Sequence, residues 1–133
     1  MIIKVAPDKE KAKSMSELIK DREKFVFSAN ISEISPTIIA ENYYEIIKEL
    51  ASILALLDGF KATGESAHKE LIRYMANYKE FSEEEIILAD DLRIKRNKSC
   101  YEGKRIDESY LPNKKEKLLL IIDKLKILIA SKF

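Results

Sequence analysis

The segment from residue 36 to residue 58 carries the most regular hydrophobic pattern of the chain. Apolar side chains recur there at alternating steps of four and three residues: Ile39, Tyr43, Ile46, Leu50, Ile53 and Leu57. This spacing places them on one face of an α-helix. Ser35 and Pro36 mark the start of that helix, and Asp58 with Gly59 marks its end. The pattern predicts a long buried helix at the centre of the domain.

Four further segments show helical spacing or capping signals. The predicted helices cover residues 8–29, 66–79, 82–103 and the chain from about 113, after Pro112. Residues 30–34 are predicted as a connection, and Ser82 with Glu85 has the pattern of a capping box. Only three Gly and three Pro occur among the 133 residues, whereas sheet proteins use both in their turns. The chain is therefore predicted to be one all-α domain over residues 1–133, with its core at about 8–130, folded as an up-and-down antiparallel bundle of four to five helices.

The composition excludes several classes of protein. The 24 Lys and Arg residues nearly balance the 23 Asp and Glu residues, so the net charge of +1 excludes nucleic-acid binding by bulk charge. Cys100 is the only cysteine, which excludes an intrachain disulfide and fits a reducing cytoplasm. The sequence has no P-loop, dinucleotide-binding turn, metal-ligand cluster or Ser-His-Asp triad. A cytoplasmic protein without cofactor, metal or membrane contact is therefore predicted.

The predicted fourth helix, residues 82–103, has an uneven charge distribution. Its first half is acidic, whereas Lys and Arg outnumber Asp and Glu by four between residues 91 and 106. This order complements the helix dipole, which is one sufficient explanation. On a helical wheel, however, Arg93, Arg96 and Asn97 lie opposite the polar stripe and face the bundle or a partner. Inward guanidinium groups are costly unless they are paired or bind an anion, so this face is a candidate phosphate-binding groove.

The end of this helix resembles the signature of HEPN domains. Arg96 and Asn97 are followed by Tyr101 and Gly103, which is similar to the R-N-x-x-x-Y-x-G motif of an archaeal and bacterial HEPN subgroup. Parts of the second helix and of the turn after it are also similar to that subgroup. The resemblance implies a helical bundle that forms a homodimer, with RNA or a nucleotide bound at the dimer groove. It also implies a minimal nucleotidyltransferase as the partner protein, in a toxin-antitoxin or defence system.

The resemblance assigns roles to individual residues. In HEPN domains a histidine follows the arginine by four to six residues and completes an RNase site, but here Tyr101 stands at that position. A tyrosine with a pKa of about 10 is a poor base at neutral pH, so RNase activity is expected to be weak or absent. Arg96 and Tyr101 are the candidate catalytic residues of a metal-independent endoribonuclease. The candidate phosphate ligands are Arg93, Arg96, Asn97 and Tyr101, and Tyr101 is also the residue to which the resemblance assigns modification by AMP.

The sequence also predicts a role or an environment for four other side chains. His68, the only histidine, is a candidate auxiliary base, although a histidine at a helix start is more often a surface or capping residue. Asn42 is expected to hydrogen-bond Arg96 as a second auxiliary residue. Glu45 is expected to be solvated, and Cys100 is expected to pack inward as a small apolar side chain.

Three functions are compatible with these observations. The first is a HEPN-like protein that binds RNA or nucleotide phosphate. The second is a non-enzymatic helical module, in which the polar face only specifies how a dimer or a partner docks. The third is an endoribonuclease that uses Arg96 with His68 or Tyr101. Measurements of ligand binding and of RNA cleavage by the wild type and by the Arg96→Ala variant distinguish the three.

Overall fold

The computed structural model describes residues 1–29 and 34–133 and confirms an all-α bundle. These residues form five α-helices and a two-stranded sheet: β1 (Ile2–Lys4), α1 (Lys9–Phe27), α2 (Pro36–Asp58), β2 (Phe60–Ala62), α3 (Ala67–Tyr74), α4 (Glu83–Glu102) and α5 (Tyr110–Ala130). The predicted connection at 30–34 lies outside the described residues, apart from Ile34.

The helix ends follow local capping chemistry, with two departures from prediction. Asp8 caps α1 by accepting the amide of Lys11 at 2.9 Å. The third helix ends at Tyr74 and continues only as a short 3-10 turn. The last helix begins at Tyr110, three residues before the predicted Asn113, and contains Pro112 in its first turn. Proline is tolerated there because the first amides of a helix have no intrahelical acceptor.

Helix α2 is the centre of the bundle, as its apolar pattern predicts. It packs against each of the other four helices. Eight of its side chains are completely buried: Ala40, Tyr44, Ile46, Ile47, Ala51, Ile53, Leu54 and Ala55. No helix in the described parts of the chain is both long and apolar enough to span a membrane.

Side-chain contacts show that α4 runs antiparallel to both α2 and α5. Glu41 and Glu45, early in α2, contact Ser99 and Arg96, late in α4. At the other side of α4, the carboxylate of Glu85 near its start binds Lys124 near the end of α5. The second half of α4 is thereby placed beside the first half of α2.

A small sheet that the sequence analysis did not predict ties the chain start to the end of α2. Strand β1 pairs with β2 in an antiparallel register, with Ile3 opposite Lys61. Between α2 and β2, Gly59 reverses the chain with a φ of 87°. Its carbonyl accepts the amide of Val5 at 2.9 Å. Strands of three residues have too little alternating pattern to stand out in a sequence.

Replacing Gly59 with alanine is expected to lower the free energy of unfolding by about 2 kcal/mol, because L-residues are strained in the left-handed region. A Cβ at this position would also lie 3.1 Å from the carbonyl oxygen of Val5. Gly103 also has a positive φ, of 68°, but a Cβ there would have no atom within 4 Å. Gly103→Ala is therefore the matched control, because it adds the backbone strain without the close contact. Urea denaturation of both variants measures the difference, and equal losses would contradict the close contact.

Candidate functional site

The position of the site is determined by how α4 begins and ends. The predicted capping box is present: the amide of Glu85 donates to Ser82 Oγ at 3.1 Å, and the amide of Ser82 donates to Glu85 Oε1 at 2.9 Å. At the other end, Gly103 closes the helix in the left-handed conformation. Ala89 and Leu92 are buried against the bundle, which fixes the rotation of α4 about its axis. The polar residues that follow are then presented toward α2 and α3.

A pocket of about 380 Å³ lies between the second half of α4 and the start of α3. Three of the predicted phosphate ligands, Arg93, Asn97 and Tyr101, line it from α4. His68 and Lys69 line it from α3, together with the turn at residues 64–67. The structure therefore brings the lone histidine to the same pocket as the predicted ligands.

Arg93 is held in the pocket by a neighbour on its own helix. Its Nε donates to Asp90 Oδ1 at 2.8 Å, one turn earlier in α4. Its two terminal nitrogens make no hydrogen bond to any of the described residues. Arg93 is thus a positioned guanidinium with donors available to a bound anion.

Arg96 lies behind the pocket wall rather than in it. Its Nη2 donates to Glu45 Oε1 at 2.9 Å, and its Nη1 lies 3.4 Å from both the Asn97 side-chain oxygen and the Tyr101 hydroxyl. Its guanidinium carbon is 5.6 Å from the ring centroid of Tyr44 and 5.8 Å from that of Tyr101. The side chain is only 14% exposed. Arg96 therefore joins α2 to two pocket-lining residues through one planar group.

The expectation that Glu45 is solvated is wrong. Its side chain is only 18% exposed, and its second oxygen binds Lys48 Nζ at 2.7 Å. Burial opposes its ionisation, but the hydrogen bond and charge of Lys48, followed by the charge of Arg96, outweigh burial and lower the pKa of Glu45. The sequence signal for this residue is indirect, because only the packing of α2 on α4 reveals its partner.

His68 is half-buried beside the aromatic wall of the site. Its ring centroid lies 6.4 Å from that of Tyr44. Burial, followed by the positive charges of Lys48 and Arg96, lowers the pKa of His68 below its usual value. The imidazole is therefore neutral at neutral pH and has a nitrogen able to accept a proton.

The two tyrosines beside Arg96, Tyr101 and Tyr44, differ in how far they are exposed to solvent. Tyr101 is 75% exposed at the rim, whereas Tyr44 is fully buried. Burial raises the pKa of Tyr44, so its hydroxyl stays protonated. That hydroxyl has no hydrogen-bond partner in the described parts of the chain. The guanidinium is thus contacted by a fixed ring and by an accessible one.

Two further side-chain predictions are wrong. Asn42 does not bond Arg96, because it accepts from Arg22 Nη1 at 3.1 Å and donates to the Ile38 carbonyl at 2.9 Å. Cys100 is exposed rather than packed inward. The last turn of α4 is largely exposed, so an inward direction on the helical wheel is no longer a buried one there.

The chemistry of the site is that of charged and polar donors. Among residues 1–29 and 34–133, no group of three His, Cys, Asp or Glu side chains could hold a metal ion. The arrangement offers guanidinium, amide and hydroxyl donors next to a neutral imidazole. This combination can bind an anion and accept a proton.

Searches against protein-family models, curated proteins and solved structures found no match to this chain.

Proposed function

We propose that this protein binds the phosphate group of RNA or of a nucleotide in the pocket between α3 and α4. The observation that carries the proposal is the convergence of Arg93, Asn97, Tyr101 and His68 on one pocket. Arg93 has terminal nitrogens without a protein partner in the described residues, and an arginine fork matches two phosphate oxygens. Its carboxylate neighbour Asp90 fixes its direction without using those nitrogens.

The local charges support an anionic ligand. Glu45 is shared between Arg96 and Lys48, so one carboxylate faces two cations. Lys69 adds a further cation to the pocket lining, which also includes Glu65. A volume of about 380 Å³ falls in the usual range for small-ligand sites, about 300–1,000 Å³. A phosphate with an attached sugar is compatible with that size.

Tyr101 supports a ligand that carries a base as well as a phosphate. Its ring is exposed at the pocket rim and lies next to the guanidinium of Arg96. Exposed aromatic rings beside cationic grooves stack the bases of single-stranded nucleic acids. RNA and nucleotides carry both a phosphate for the arginine and a base for the exposed ring.

Replacing Arg93 with glutamine is expected to weaken binding of AMP and of a short single-stranded RNA by about tenfold or more, because a charged bidentate contact is lost. Arg73→Gln is the matched control, since Arg73 is an exposed arginine of α3 that lines a different pocket. Fluorescence anisotropy and calorimetry at low salt measure both variants. Equal losses of affinity in the two variants would mean that binding depends only on the net charge of the protein.

An endoribonuclease is a second candidate function, favoured by the position and lowered pKa of His68. In this reaction His68 would take the proton of the ribose 2′-hydroxyl as its oxygen attacks the adjacent phosphorus. The bond from phosphorus to the 5′-oxygen would break, the leaving oxygen would take a proton from water, and Arg93 would stabilise the charge on the phosphate. Cleavage of labelled RNA that His68→Gln abolishes would support it, with Arg73→Gln, on the same helix but outside this pocket, as the control. If the wild-type protein binds neither phosphate, AMP nor RNA, the helical interaction module becomes the better explanation.

The HEPN resemblance implies the same kind of ligand, and it adds a second copy at the site and a minimal nucleotidyltransferase partner. Both additions stay predictions. The pocket itself is built by one chain, because α3 and α4 of a single copy supply its lining. The proposed binding therefore does not depend on either partner.

A further inference from the structure

Helices α4 and α5 enclose a second, larger groove on a different face of α4 from the phosphate pocket. Its volume is about 720 Å³. Its floor is apolar and includes Ile87 and Leu120, which are 61% and 50% exposed. Exposed apolar side chains bordered by charged ones are typical of surfaces at which proteins bind one another.

The two edges of this groove carry opposite charges. The α4 edge presents Glu84 and Asp91, and the α5 edge presents Lys114 and Lys117. In the described parts of the chain, Glu84, Lys114 and Lys117 make no ion pair, and Asp91 has only a long contact of 3.9 Å to Lys95. The groove is bridged by an ion pair at one end alone, through Glu85 and Lys124.

We infer that this groove is the contact surface for a second copy of the chain, with the two-fold axis running along the groove between α4 and α5. Rotation about that axis places α4 of one copy over α5 of the other. The acidic edge of each copy then faces the basic edge of its partner, and the apolar floors meet in the middle. A surface with one acidic and one basic edge is therefore complementary to itself, which is what a two-fold interface requires.

The register along the groove agrees with this pairing. Glu85 lies opposite Lys124 within one copy, and Lys95 lies 5.4 Å from the ring centroid of Tyr110 at the other end. Asp91 and Lys117 line the groove between these ends. Because the axis runs along the groove, residues opposite one another within a copy also face one another between copies. Asp91 thus faces Lys117 of the second copy, and the pair occurs twice.

The size of the face suits a dimer. Helices of 20 and 21 residues are about 30 Å long, and two side by side are about 20 Å wide, so the face measures about 600 Å² in projection. A ridged helical surface has a larger accessible area than its projection. A standard interface buries about 800 Å² per partner, which this face can supply.

The test uses charge reversal at the pair that occurs twice. Asp91→Lys and Lys117→Glu are each expected to raise the dimer dissociation constant by about tenfold or more, because two attractive pairs become repulsive. When the two variants are mixed, the lysine introduced in one copy faces the glutamate introduced in the other, and the unchanged Asp91 faces the unchanged Lys117. The mixture, and the double variant in one chain, are therefore expected to dimerise like the wild type. Sedimentation velocity and light scattering measure the masses.

A second pair of variants tests the apolar floor without changing these charges. Ile87→Glu is expected to abolish the dimer, whereas Leu18→Glu, at a 68% exposed position on α1, is expected to leave it intact. Circular dichroism confirms that both variants are folded. A monomeric wild type would overturn the inference, and so would a dimer that neither reversal nor Ile87→Glu weakens, including one built at the phosphate pocket. None of these outcomes bears on phosphate binding, which is measured separately.

Discussion

Replacing Arg96 with alanine is expected to weaken AMP and RNA binding by about tenfold or more while the chain stays folded. Arg96 holds Tyr101 and Asn97 at the pocket and is itself held by Glu45. Without Arg96, the ring of Tyr101 at the pocket rim loses the guanidinium beside it, and the site loses a positive charge. Glu45 keeps its contact with Lys48, so the free energy of unfolding should fall by only about 1–2 kcal/mol.

Arg96→Lys is the informative companion variant. Lysine keeps the charge but cannot reach Glu45 and Tyr101 with one planar group, so we expect most of the loss in binding to remain. Arg22→Ala is the matched control, because Arg22 also joins a helix to α2, through Asn42 and Glu49, but lies away from the pocket. Titration with AMP and thermal unfolding report on binding and stability separately. Full AMP and RNA affinity in Arg96→Ala would remove this residue from the site.

Replacing Asp58 with alanine is expected to lower the free energy of unfolding by about 3 kcal/mol. Its carboxylate accepts the hydroxyl hydrogens of Tyr74 and Tyr78 and pairs with Lys132 at 2.7 Å. One side chain thereby connects the end of α2, the end of α3 and the residues after α5. Alanine would leave two partly buried hydroxyls and an ammonium group without their acceptor. Urea denaturation measures the loss, with Asp123→Ala on the exposed side of α5 as the control.

The carboxylate of Asp58 also makes the free energy of unfolding depend on pH in the acidic range. Burial raises the pKa of Asp58, but the hydrogen bonds from Lys132, Tyr74 and Tyr78 outweigh it, and the pKa is lowered in the fold. A carboxyl group with a lowered folded pKa contributes its full stability above the unfolded pKa of about 3.9 and loses it as the pH falls through the folded value. The contribution of Asp58 to the free energy of unfolding should therefore be constant near neutral pH and fall below about pH 4. Asp58→Asn should flatten that fall, and parallel curves for the two proteins would contradict the assignment.

The helices could be predicted because their signals are local. The apolar steps from Ile39 to Leu57, the Ser82–Glu85 capping box and Gly103 each act through neighbours within a few residues, so they can be read without the fold. The start of α5 was misplaced by three residues because Pro112 can occupy either the first position or the first turn. Strands β1 and β2 were missed because each is short and pairs with a distant segment.

For the candidate site, too, the local features could be predicted from the sequence and the contacts between helices could not. The helical wheel placed Arg93, Arg96 and Asn97 on one face of α4, and the structure brings Arg93 and Asn97 to one pocket, with Arg96 behind its wall. The wheel failed for Cys100, because direction from the helix axis does not say whether a neighbour is present to cover it. It also could not show that Arg96 contacts Glu45 rather than Asn42, since that depends on the register between two antiparallel helices.

By itself, the sequence determined an all-α chain with a buried central helix and a fourth helix that turns a set of donors toward the bundle. These properties follow from side-chain periodicity and capping, which operate over a few residues. Only the tertiary structure decided that His68 meets those donors, that Glu45 is a partly buried partner of Arg96, and that Asp58 joins three segments. Each of these contacts links distant parts of the chain, and its geometry is set by how whole helices pack.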